Sequence, residues 1–109
     1  QYRDTFQRSI EHIVQAQRLI DELGHQDLLK VGLPPKIKEL QQLSTDRQAN
    51  VLRYWLKNQF RVSPSAVQLQ ELMRQVARCT TRGHQINIKI AHGNLERQGE
   101  ALHWYNREG

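Results

Sequence analysis

The chain has 109 residues with 16 Lys and Arg against 11 Asp and Glu, a net charge of +5, and 38% hydrophobic content. That length holds one modest core, and no apolar run nears the roughly 20 residues of a helical membrane span. The single cysteine, Cys79, rules out an internal disulfide and suits a reducing, cytoplasmic setting.

The charge is unevenly placed. Residues 1–43 carry six basic and six acidic side chains, whereas residues 44–109 carry ten and five. Between Arg47 and Lys89 eight basic residues face one acid, Glu71. Such a segment suits a polyanionic partner, although a solvated basic face would look the same.

In chain order, Phe6, Ile10, Ile13, Val14, Ile20 and Leu23 recur at helical spacing and predict an amphipathic helix over 4–23, ended by Gly24. A helical pattern that starts almost at Gln1, without an initiator Met, is expected of a piece cut from a longer protein. Residues 25–35 read as a loop, with Gly32 and the Pro34-Pro35 pair as breakers and Leu28, Leu29, Val31 and Leu33 tucked inward. Lys36 to Gln42 predicts a short helix. A third helix runs from about Thr45 to Gln59, capped by Ser44 or Asp46, with Val51, Leu52, Trp55 and Leu56 facing the core.

Ser63-Pro64-Ser65 restarts the chain as a fourth helix, capped either by Ser63 with Pro64 at the first position or by Ser65 with Gln68. Ala66, Leu69, Leu72, Met73, Val76 and Ala77 form its apolar stripe. After Gly83 the period becomes two: Ile86, Ile88 and Ile90 alternate with polar residues, as a half-buried strand requires. Turns at His92-Gly93 and Gly99-Glu100 separate two further strands, Asn94 to Gln98 and Ala101 to Tyr105. The expected class is α+β and mostly helical: about four helices followed by a small three-stranded antiparallel meander. Trp55, Leu56, Leu69, Leu72, Ile88 and Trp104 should share its core.

Catalytic chemistry finds no footing. Cys79 and His84 lack an orienting carboxylate. The histidines at 12, 25, 84, 92 and 103 lack ligand spacing. The glycines stand singly at turns, which makes no phosphate loop, and the adjacent Asp21 and Glu22 diverge on a helix. The basic residues are better organised. Arg53, Lys57 and Arg61 fall on one line of the third helix, near Asn50, and Arg74, Arg78 and Arg82 on one line of the fourth and its exit. Such rows can follow a phosphate backbone, and Arg also stacks on unpaired bases. Trp55 and Trp104 read as core; Tyr54, Tyr105 and His103 are the candidates for stacking.

The wording Leu43-Ser44…Arg47-Gln48-Ala49-Asn50…Leu52-Arg53-Tyr54-Trp55-Leu56, followed by Pro64-Ser65 and Leu69 to Leu72, resembles the middle domain of bacterial tRNA(Ile)-lysidine synthetases. The closing stretch, Ile88 to Tyr105, is similar to that family's small sheet. The resemblance implies a tRNA-binding fragment of a ligase that uses ATP, with Mg, to attach lysine to an anticodon cytidine of isoleucine tRNA. It implies a catalytic domain before this chain, carrying a Ser-Gly-Gly-x-Asp-Ser loop that is not present here, and a further domain after it. The expected layout is a helix leading from the catalytic domain (1–24), a helical substrate-binding part (25–83) and its small sheet (84–109). No cofactor is expected in the fragment. Arg47, Asn50, Arg53, Lys57, Arg61, Arg74, Arg78 and Arg82 are the candidate RNA contacts. Two other readings remain: a spacer that docks neighbouring domains without touching RNA, and a DNA-binding helix-turn-helix. Against the latter, Ser65 to Gln70 carries none of the basic residues that usually enter a groove.

Overall fold

The computed structural model describes the backbone of residues 2–106 and the side chains of residues 8–106. Helix α1 (Tyr2–Val31) is followed by short α2 (Ile37–Gln41), by α3 (Thr45–Trp55) with a π turn over Leu56–Phe60, and by α4 (Ala66–Arg78). Strands β1 (Asn87–Ile90), β2 (Gly93–Gln98) and β3 (Ala101–Asn106) close the fold as an antiparallel meander in the order β1-β2-β3. The α+β class and the meander are those expected from the sequence.

The caps are local chemistry. Ser44 Oγ accepts from Arg47 N at 3.3 Å. Ser65 and Gln68 satisfy each other's backbone N–H groups in a capping box, so Ser65 rather than Ser63 starts α4. The core draws on every element: Val31, Leu40, Val51, Leu52, Trp55, Leu56, Leu69, Leu72, Val76, Ile88, Ile90, Leu95, Leu102 and Trp104 are among its buried residues. All six residues expected to share it do so.

Three local expectations need correction. Helix α1 does not stop at Gly24 but continues through it to Val31, and Gly32 ends it with φ +95° and its N–H bonded to Leu28 O at 2.9 Å. Gly24 allows a close helix contact, since a Cβ there would lie 2.8 Å from Tyr54 Cβ. Of the side chains expected to tuck inward, Val31 is buried and Leu28 half-buried, while Leu29 and Leu33 are exposed. The apolar stripe of α1 stays largely uncovered: Ile10, Ile13, Val14 and Ile20 are exposed. Phe6 lies outside the described side chains.

The third correction concerns the end of α3. The π turn inserts a residue relative to α-helical spacing and ends at Arg61, which adopts the left-handed conformation (φ 57°, ψ 42°). Val62 N bonds back to Leu56 O at 3.2 Å and closes the turn. This turn lets the Phe60 ring bridge Trp55 and Trp104, with centroids 5.5 and 5.1 Å away. On β2, Gly93 admits the Trp104 ring, because a Cβ would stand 2.5 Å from Trp104 Cζ2.

Candidate nucleic-acid interface

Helix α3 lies against the C-terminal half of α1, and this contact sorts its polar residues. Asp27 on α1 is wholly buried, and Arg47 donates to it from Nε at 3.0 Å and again from Nη2. The hydrogen bond first, and charge attraction second, raise the Arg47 pKa, so its guanidinium stays charged. Asn50 donates from Nδ2 to Ile20 O at 3.0 Å. Both candidates are therefore engaged in holding α3 on α1.

Arg53 and Lys57 point outward from the same helix and its π turn. They border a recess of about 290 Å³ between α1 and α3, shared with Ile20, Tyr54 and Pro64. Neither is ion-paired among the described residues. Tyr54, half-buried over Gly24, meets the His25 ring edge-on at 6.2 Å.

The second row divides. Arg74 is exposed and pairs with Glu71 at 3.0 Å, a surface contact too well solvated to hold it firmly. Arg78 is exposed in the last turn of α4. Arg82 lies beyond the helix end and borders a second, larger recess with Lys38 of α2, His84 and Glu100. The two recesses share no lining residue. Arg61 is exposed where its left-handed backbone reverses the chain. Trp55 and Trp104 are buried, with their indole N–H groups donating to Gln59 Oε1 at 2.8 Å and Ile90 O at 3.2 Å. His103 is half-buried and Tyr105 exposed on β3.

Sequence reasoning missed three contributors. Asp27 was hidden in a presumed loop, Lys38 in a helix outside the basic segment, and Arg97 in a strand. Arg97 donates to the carbonyls of Gly99 (2.7 Å), Thr81 (2.8 Å) and His84 (2.6 Å), which fixes the loop around Arg82. The sequence shows the charges of all three and the strand that carries Arg97, but not the partners they meet.

Among the described residues no group of three or more His, Cys, Asp or Glu is placed to hold a metal, and no helix is long and apolar enough to cross a membrane. This small α+β domain carries outward cations on two recesses. Residues 36–105 match the model of the TilS substrate binding domain, and the chain belongs to that family. It is 54% identical over 102 residues to the tRNA(Ile)-lysidine synthase of Polaromonas naphthalenivorans (strain CJ2), covering 94% of this chain and 31% of that protein. It is 30% identical over 112 residues to that of Burkholderia pseudomallei (strain K96243), covering 99% and 23%. A shorter match, 32% over 77 residues, links it to the tRNA(Ile)-lysidine synthase of Nitrosomonas europaea, covering 69% and 17%. The chain thus spans less than a third of the curated relatives it matches. No solved structure gives a significant match.

Proposed function

We propose that this domain binds tRNA for a whole protein that is a cytoplasmic tRNA(Ile)-lysidine synthase, a ligase that uses ATP and Mg to join lysine to an anticodon cytidine. In this reading the ATP and lysine sites belong to a neighbouring catalytic domain. The present domain holds the isoleucine tRNA so that its anticodon region stays on that domain. The observation that carries the proposal is the outward pair Arg53 and Lys57, unpaired among the described residues, on the rim of the α1–α3 recess. Arg61, Arg74, Arg78 and Arg82 extend the contact surface, and Arg47 and Asn50 support it by fixing α3 to α1. These side chains meet phosphates, which position an RNA without reading it.

The spacer reading draws on one observation, the exposed apolar stripe Ile10, Ile13, Val14 and Ile20 on α1. Of these four only Ile20 borders the α1–α3 recess, so the reading is compatible with RNA contact through α3. The test titrates the full-length protein with tRNA at several salt concentrations, comparing wild type with Arg53→Ala and Arg74→Ala. Each phosphate contact removed should reduce the salt slope by about 0.7–0.9. Unchanged affinity and slope in both variants, with folding intact, would leave the spacer reading in its place.

A further inference from the structure

The larger recess opens between α2, the end of α4 and the β2–β3 turn and encloses about 840 Å³, within the size range of ligand sites. Its walls differ in chemistry. Lys38 and Arg82 are exposed cations on it, while Ile37 and Cys79 are buried and give it an apolar floor. Gln41 donates from Nε2 to Val76 O at 2.8 Å and Cys79 O at 3.1 Å, which leaves its amide oxygen as an acceptor. The Gln42 amide and the Glu100 carboxylate add further polar edge, and half-buried His84 adds a flat ring. The Arg97 clamp on Thr81, His84 and Gly99 holds these walls in one shape.

A free phosphate would use only the cations, and an acidic peptide would face Glu100. An unpaired nucleotide needs a cation for its phosphate, a flat group to stack on and a mixed polar edge for its base. We propose that this recess receives one unpaired nucleotide of the tRNA, with its phosphate on Lys38 and Arg82 and its base edge toward Gln42 and Glu100. The proposal rests on the domain being a tRNA-binding module. A carboxylate only accepts hydrogen bonds, so Glu100 favours a base with an exocyclic amino group. Uracil is disfavoured because its single N–H is flanked by carbonyl oxygens that repel the carboxylate.

The test probes tRNA, free and bound to the full-length protein, with dimethyl sulfate for adenine and cytosine and a carbodiimide for uracil and guanine. One unpaired adenine, cytosine or guanine should become at least ~10-fold less reactive in the complex, a near-complete exclusion of reagent by the recess. At saturating protein, the double variant Lys38→Ala/Arg82→Ala should return that base to its free reactivity, and Glu100→Gln should weaken its protection. All three positions are exposed, so both proteins should keep the wild-type Tm. Protection of every unpaired base that is indifferent to both variants would overturn this inference alone. Wild-type protein that binds no tRNA would overturn the tRNA reading as well, and the salt titration would show it independently.

Discussion

The guanidinium of Arg47 on α3 closes side-on over the carboxylate of Asp27 on α1, with Nε 3.0 Å from Oδ2 and Nη2 bonded to Oδ1. Asp27 has no exposed surface, whereas the Arg47 side chain keeps 38% of its own. A buried carboxylate is tolerable only with its charge and lone pairs matched, and a two-point guanidinium contact does both. The pair therefore sets where α3 sits along α1, and with it where Arg53 and Lys57 emerge.

Arg47→Ala should lower the Tm by several degrees, because Asp27 would be left buried without its partner. Arg47→Lys should recover only part of the loss, since an ammonium cannot reproduce the fork. A thermal melt followed by circular dichroism checks both. Below the melting range, tRNA affinity should fall less in Arg47→Ala than in Arg53→Ala. The reverse order would make Arg47 a direct RNA contact.

Gly24→Ala separates helix propensity from helix contact. In a solvent-exposed helix the change would gain about 1 kcal/mol. Here the new Cβ would lie 2.8 Å from both Tyr54 Cβ and Cγ, and overpacking of this kind costs about 1–3 kcal/mol. Urea denaturation should therefore show a net loss of stability. A gain would mean that α1 and α3 separate easily at this point.

Arg61→Gly should raise stability while weakening binding. The left-handed conformation costs an L residue about 1–2 kcal/mol, and the greater backbone freedom of glycine when unfolded offsets about 0.5–1 of that. A net gain of about 0–1.5 kcal/mol in a denaturant titration is expected. If Arg61 touches phosphate, the same variant shows lower tRNA affinity and a shallower salt slope. Equal affinity would remove it from the surface.

Trp55→Ala should cost about 3–5 kcal/mol, the usual range for emptying a buried indole site. The ring is 1% exposed and stacks edge-on with Phe60, which in turn meets Trp104. Loss of the near-ultraviolet dichroism of Trp104 in the same variant would confirm that the three rings act as one unit.

The sequence by itself determined what depends on near neighbours along the chain. The 3.6-residue stripe of α4 with its Ser65–Gln68 capping box, the alternation of Ile86, Ile88 and Ile90, and the burial of Trp55 and Trp104 were all legible, because periodicity and caps act over a few residues. So was the excess of cations on α3 and α4. Tertiary structure decided the rest. Gly24 looked like a stop but serves the approach of Tyr54. Phe60 turns inward only because a π turn follows α3. Equal-looking apolar residues on α1 divide into a buried end at Val31 and an exposed one at Ile13. Arg47 and Arg53 are six residues apart on one helix, yet one faces a buried acid and the other solvent. Two basic rows that look equivalent on paper reach two separate recesses, one through Arg53 and Lys57 and the other through Arg82. In each case the deciding quantity is which surface arrives opposite a residue, and that is settled by the packing of distant segments, which local spacing does not encode.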